Sequence, residues 1–142
     1  MWSHYAESHK GFCIEYDYSN WKADSKIILP LPVIYSRQRP LVFAGVHLEN
    51  PEEAKVQIAS QLMKGLLTKD NDWSYENEWR IILHSTNVPS ISMPPISCIY
   101  LGASISEDDK TAILNIAKEK NYKVKQMVVD RGTYDLHAKD IV

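Results

Sequence analysis

The sequence predicts an α+β fold, with a mixed or antiparallel sheet of about five strands, two main helices and a short N-terminal helix. Three observations indicate this class. Short segments that alternate or are wholly apolar recur along the chain. Two longer segments carry helical periodicity behind residues that begin helices. The predicted elements follow the order helix, two strands, helix, two strands, helix, strand.

Length and composition indicate a folded globular protein. The chain has 142 residues, 44% of them hydrophobic and 24% charged, which suits a single domain over residues 1–142. The formal net charge of -2 provides no basic field for nucleic acid or an anionic membrane. No apolar run reaches the roughly 18 residues of a membrane span, and the N-terminus lacks a secretory signal. We therefore expect a cytoplasmic protein.

The first part of the chain predicts one short helix and two strands. Residues 1–9 suit a helix that Gly11 ends in a left-handed cap. Residues 12–18 alternate between apolar and polar side chains, which is typical of a half-buried strand. Residues 27–36 are apolar and β-branched but hold two prolines that cannot donate to a ladder. They predict an edge strand, and residues 33–36 carry the clearest strand pattern.

A longer helix is predicted from Asn50 to about Thr68. Asn50 can cap this helix, Pro51 suits its first turn, and the two acidic residues that follow complement the helix dipole. Four apolar residues recur at a spacing of four and predict a core-facing stripe: Ala54, Ile58, Leu62 and Leu66.

The middle of the chain predicts two more strands. Residues 76–84 suit a strand, and residues 88–95 form a loop rich in Pro and Ser. Residues 98–101 are apolar on both faces, so they predict a central strand.

The last part predicts a helix, a strand and a tail. Ser106 and Asp109 suit the cap and first turn of a helix that runs to about residue 120. The apolar side chains predicted to face inward are Ile113, Ile116 and Ala117. Residues 122–129 predict the last strand, and residues 130–142 form a tail without a clear pattern.

Two segments concentrate polar and aromatic side chains, namely residues 1–11 and 72–80. Any functional interpretation rests on them, because the glycine-rich phosphate loops, HExxH and GxSxG are absent from the sequence. The two cysteines form no CxxC pattern. His4 and His9 would lie about 140° apart round a helix, so we expect no metal site.

Four stretches resemble, in order, the bacterial family called domain of unknown function 2971. They are WSHYA at residues 2–6, HKG at 9–11, WSYENEWR at 73–80 and LGASISEDD at 101–109. Members of this family usually carry a further N-terminal segment. The resemblance therefore implies that this chain is the C-terminal part of a member.

The segment at 73–80 contains a pair of glutamates and an arginine. On a strand, Glu76, Glu78 and Arg80 would share one face, opposite Trp79, with Cα atoms of alternate residues roughly 6.5 Å apart. Neighbouring carboxylates raise each other's pKa, and a nearby arginine lowers it. Two interpretations stay open: a charged face in which Arg80 neutralises a glutamate, or a glutamate pair lining a cleft.

The second interpretation has a specific form. The run from Glu78 to Ile82 is similar to the strand glutamate of ADP-ribosyltransferase-like enzymes. That likeness implies NAD as a substrate and Glu78 as the carboxylate that stabilises an oxocarbenium-like transition state, with Glu76 beside it. The implied substrate contacts are Trp2, His4, Tyr5 and Arg80.

The alternative is a non-catalytic protein-interaction module that uses the Trp and Tyr clusters. An exposed patch of Trp2, Tyr5 and Trp73 would favour the module, whereas convergence of His4, Tyr5 and Glu78 would favour the enzyme. On either hypothesis we expect a protein acceptor or partner. Acidic neighbours disfavour base stacking on the aromatic side chains of 72–80, so we do not expect a nucleic-acid partner.

Overall fold

The computed structural model describes residues 2–22, 27–41, 51–83, 90–133 and 135–141. Contacts divide the chain into a first unit, residues 1–22 with 92–142, and a second unit, residues 23–91. The single domain stays a prediction. The mixture of helices and strands is broadly α+β, as the sequence predicts.

The elements are, in chain order, β1 (Phe12–Tyr16), β2 (Ile27–Pro32), β3 (Ile34–Ser36), α1 (Pro51–Leu67), β4 (Thr68–Asp70), a 3-10 helix (Asn71–Glu76), β5 (Trp79–Leu83), β6 (Ile96–Leu101), α2 (Glu107–Lys120), β7 (Lys123–Val129) and β8 (Leu136–Asp140). Within the part of the chain that is described, no helix is both long and apolar enough to cross a membrane. The predicted cap Asn50 and residues 84–89, which include part of the predicted loop, lie outside the described residues.

The first unit contains a four-stranded mixed sheet in the order β1-β6-β7-β8. Strand β6 runs antiparallel to β1 and parallel to β7, and β7 runs antiparallel to β8. The core is formed by β6, β7 and α2, and its buried side chains are Ile99, Leu101, Ala117 and Val124. The central position predicted for β6 is confirmed. In place of the predicted sheet of about five strands, the described residues form one sheet of four strands and two sheets of two strands.

Helix α2 confirms the predicted cap and corrects part of the predicted inner face. Ser106 is the N-cap, and its Oγ accepts a hydrogen bond from the backbone N–H of Asp109 at 3.1 Å. Ile116 is 54% exposed, whereas Leu114 packs against the core. The reason is helical geometry, because Ile116 lies about 100° round the helix from the buried Ala117, on the side away from Leu114.

The C-terminal tail contains a strand that the sequence analysis did not predict. Residues Leu136–Asp140 pair with β7, for example Met127 with Ala138. Only Leu136 is partly buried in this strand. Its residues therefore lack the alternation that marks a strand, and backbone pairing with the edge of β7 holds it in place.

The N-terminal segment corrects the prediction of a short helix. Residues 2–10 form consecutive turns, with Glu7, Ser8 and His9 at φ values of 47, 55 and 69°. Three residues in the left-handed region cannot continue a right-handed helix. Gly11 is not left-handed, so the predicted glycine cap is also wrong. Gly11 instead packs closely on the preceding turn, because a Cβ there would lie 3.2 Å from the Cα of Ala6.

Two stretches of the family resemblance, HKG and LGASISEDD, meet through their backbones. The N–H of Gly102 donates to the carbonyl of Gly11 at 2.8 Å, and the N–H of Ser104 donates to the carbonyl of His9 at 2.9 Å. A Cβ on Gly102 would lie 2.0 Å from the carbonyl oxygen of His9. Glycine at 102 therefore permits a backbone contact that any other residue would block.

The second unit contains two short two-stranded sheets and helix α1. Strand β2 runs antiparallel to β5, with an irregular register around Pro30, and β3 runs parallel to β4. The predicted edge strand over residues 27–36 is thus divided between two sheets. Helix α1 is confirmed, but of its predicted stripe Leu62 and Leu66 are 42% and 49% exposed. A spacing of four residues advances about 40° beyond a full turn at each step, so the stripe drifts off the packed face.

Candidate functional site

The predicted site residues Glu76 and Glu78 lie on a turn rather than on a strand. Glu76 ends the 3-10 helix, Asn77 adopts the left-handed conformation at φ 47° and ψ 47°, and β5 begins only at Trp79. The prediction of a strand from residue 76 is therefore wrong. A strand cannot run through residue 77, because Asn77 adopts the left-handed conformation, which asparagine tolerates.

The turn nevertheless brings the two glutamates together around Lys69. The Nζ of Lys69 contacts Oε2 of Glu76 and lies 3.2 Å from Oε2 of Glu78. Arg80 donates from Nε to Oε1 of Glu78 at 2.6 Å and from Nη2 to Oε2 at 3.1 Å. We call these four residues the carboxylate cluster. Three of these residues, Glu76, Glu78 and Arg80, are predicted from the sequence as site residues, whereas Lys69 is not.

The carboxylate cluster is electrically balanced and partly shielded from water. The exposed fractions of the side chains are 20% for Lys69, 8% for Glu76, 29% for Glu78 and 32% for Arg80. Two carboxylates face two cations, and the Arg80–Glu78 pair is bidentate, which is the strongest common geometry for such a pair. The ion pair expected from the first interpretation is therefore present, and so is the proximity of the two glutamates.

The electrostatic surroundings hold Glu78 in its ionised form. Hydrogen bonding from Arg80 is the main cause that lowers the pKa of Glu78, and Lys69 adds to it, whereas partial burial acts in the opposite direction. The same carboxylate raises the pKa of Arg80. The attraction of the two cations therefore outweighs the cost of burial at Glu78.

Backbone contacts fix the position of Glu78 from both sides. Its N–H donates to the Oη of Tyr35 at 2.8 Å, and its carbonyl accepts from the N–H of Val33 at 2.9 Å. Val33 is buried and Tyr35 belongs to β3. Lys69 lies in β4, two residues after the end of α1, so a cation just beyond a predicted helix was the available signal for it. No local signal in the sequence points to Tyr35.

Aromatic side chains border the carboxylate cluster. The Nζ of Lys69 lies 5.0 Å from the ring centroid of Trp73, within the range of a cation–π contact. The rings of Trp73 and Tyr75 are 6.1 Å apart. The exposed fractions are 37% for Trp73, 55% for Tyr75 and 64% for Trp79, so these aromatic side chains present considerable surface to solvent.

The other predicted substrate contacts belong to the first unit. The ring of Trp2 stacks on that of His9 with centroids 6.4 Å apart and an interplanar angle of 6°. His4 is exposed, and Tyr5 is 65% exposed. Because these residues and Glu78 belong to different units, both the shared cleft of His4, Tyr5 and Glu78 and the patch of Trp2, Tyr5 and Trp73 stay predictions.

The fold and the carboxylate cluster define an α+β protein whose paired carboxylates are held by two cations. The chain belongs to the family described as "Protein of unknown function (DUF2971)", which matches residues 1–81. This match includes the WSHYA, HKG and WSYENEWR stretches and ends before LGASISEDD. Neither a curated protein nor a solved structure was found to match the chain.

Proposed function

We propose that this protein is an ADP-ribosyltransferase-like, NAD-consuming scaffold in which Glu78 is the catalytic carboxylate. One observation carries the proposal: Glu76 and Glu78 share Lys69 directly before β5, and Glu78 is fixed, ionised and partly open to solvent. A preorganised anion of this kind stabilises positive charge that develops on a sugar carbon.

The proposed reaction transfers ADP-ribose from NAD to an acceptor. The bond between C1′ and the nicotinamide nitrogen breaks, and nicotinamide leaves with the electron pair. C1′ then bonds to the acceptor nucleophile, whose proton passes to solvent. Glu78 stabilises the oxocarbenium-like state between these events, and Glu76 lies beside it. Trp2, His4, Tyr5 and Arg80 are the proposed substrate contacts.

Glu78 retains the capacity to bind a ribose hydroxyl despite its cations. Its two oxygens accept from Arg80 Nε, Arg80 Nη2 and Lys69 Nζ. An ionised carboxylate offers about four acceptor positions, so about one remains for a substrate hydroxyl. The Glu78 side chain is 29% exposed, so solvent reaches part of it.

Incubation with labelled NAD tests the proposal. We expect nicotinamide release and labelled product from the wild-type protein, and a loss of about a hundredfold or more for Glu78→Gln. Glu119→Gln is the matched control, since the side chain of Glu119 is 70% exposed and lies on α2. If the wild-type protein neither binds NAD nor releases nicotinamide with several candidate acceptors, the enzyme proposal is wrong.

A non-catalytic protein-interaction module is the second proposal, and the exposed aromatic side chains favour it. Tyr75 and Trp79 are more than half exposed, and Tyr and Trp are enriched where proteins bind one another. On this proposal, Trp79→Ser abolishes crosslinking to the partner in cells while Glu78→Gln does not. Leu83→Ser, at the other end of β5 and 41% exposed, is the control. Equal crosslinking by the Trp79 and Leu83 variants contradicts the module.

A further inference from the structure

The second unit contains a cavity that the carboxylate cluster does not account for. Its volume is about 410 Å³, within the size range of small-ligand sites. It lies where β3 and β4 end together, since Ser36 pairs with Asp70. The residues that line it are Ser36, Gln38, Arg39, Pro40, Gly65, Thr68, Lys69 and Asp70.

One of the two cations at this cavity is open to an anion. Arg39 and Lys69 line it together with Asp70, and the ammonium of Lys69 is already paired with two carboxylates. The Oδ1 of Asp70 already accepts from the backbone N–H of Asp72 at 3.0 Å, so this oxygen is engaged by the 3-10 helix. Arg39 forms no ion pair with any other residue in the described part of the chain. Its guanidinium is therefore available for a ligand.

Lys69 connects the cavity to the carboxylate cluster. The residue lines the cavity, and its Nζ lies 3.2 Å from Oε2 of Glu78. A ligand in the cavity would therefore share Lys69 with the carboxylate that is proposed to act on a sugar. In NAD, the diphosphate is attached through C5′ to the same ribose whose C1′ carries nicotinamide. The order of chemical groups in NAD thus corresponds to the order cavity, Lys69, Glu78.

We propose that this cavity binds the diphosphate of a dinucleotide, with Arg39 as its principal contact and Lys69 between the diphosphate and Glu78. The inference rests on the proposed function, which supplies the dinucleotide. A guanidinium matches two phosphate oxygens at once, which a lysine ammonium cannot do. Gln38 supplies further donors at the same turn, where its own N–H is bonded to the Oγ of Ser36 at 3.0 Å.

Calorimetric titration with inorganic pyrophosphate and with ADP-ribose tests the inference. We expect saturable binding of both by the wild-type protein and a loss of about tenfold or more for Arg39→Gln, because a charge-assisted bidentate contact is removed. Arg37→Gln is the matched control, since Arg37 is exposed on the same segment and does not line the cavity. Thermal unfolding of each variant establishes that the variant is folded.

The outcomes separate this inference from the proposed function. Pyrophosphate binding that Arg39→Gln weakens, in a protein that does not consume NAD, supports the cavity and contradicts the enzyme. NAD consumption that needs Glu78, with unchanged ADP-ribose binding by Arg39→Gln, supports the enzyme and overturns the cavity. Absence of saturable pyrophosphate binding by the wild-type protein also overturns it. Binding of inorganic phosphate as tightly as pyrophosphate contradicts the assignment to a diphosphate.

Discussion

The guanidinium of Arg80 donates to both carboxylate oxygens of Glu78, at 2.6 Å from Nε to Oε1 and 3.1 Å from Nη2 to Oε2. Its Nη1 also contacts the carbonyl of Leu66 at the end of α1. Arg80 thereby joins the start of β5 to the helix and orients the carboxylate. The same contact serves the fold and keeps the carboxylate ionised, so we expect Glu78 to affect stability as well as the proposed chemistry.

The stability contributed by Glu78 should depend on pH. Its pKa in the folded protein is lowered, so the contribution is fully present above the unfolded value of about 4.3 and is lost as the pH falls through the folded pKa. We expect Glu78→Gln to lower the melting temperature at pH 7 and the difference from wild type to shrink below about pH 4. Thermal unfolding across this range measures the difference in melting temperature between the variant and wild type. A difference that is constant with pH would contradict the ion pair.

Lys69 should contribute more to stability than a surface lysine does. Lys69→Met removes a partner of Glu76, whose side chain is only 8% exposed, and we expect a loss of at least about 1 kcal/mol in the free energy of unfolding. Lys55→Met is the control, because Lys55 and its partner Glu52 are 71% and 80% exposed and such pairs contribute less than about 1 kcal/mol. Urea unfolding compares the two variants. Equal losses in the free energy of unfolding would mean that burial of the carboxylate cluster does not strengthen its ion pairs.

Ser106 should stabilise α2 through its side chain. Ser106→Ala removes the acceptor for the N–H of Asp109, and we expect a loss of about 1 kcal/mol. Ser104→Ala is the control, since Ser104 is exposed and outside the helix. Unchanged unfolding of Ser106→Ala, relative to both wild type and this control, would contradict the capping assignment.

Gly102 should be among the positions least tolerant of a side chain. A Cβ there would lie 2.0 Å from the carbonyl oxygen of His9, a backbone atom that cannot turn away. We expect Gly102→Ala to cost on the order of 3 kcal/mol, because the N-terminal segment must move. Gly132→Ala meets nothing within 4 Å and should be tolerated. Similar melting temperatures for the two variants would show that the N-terminal segment does not pack on Gly102.

The elements that depend on local signals can be predicted from the sequence alone. Helix α2 follows from the cap at Ser106, and the central place of β6 follows from a segment that is apolar on both faces. These signals act between residues a few positions apart, so they can be read without the rest of the chain. The candidate residues Glu76, Glu78 and Arg80 were found in the same way, although the strand assumed for the two glutamates is a turn.

The features that depend on distant partners become visible in the folded chain and not before. Residues 7–9 are left-handed where their segment meets the backbone of Gly102, and Leu136–Asp140 is a strand because β7 offers an edge. Lys69 joins Glu76 and Glu78 because α1 ends beside their turn. In each case the deciding contact depends on proximity in space, since backbone pairing and ion pairing need no particular spacing in the sequence.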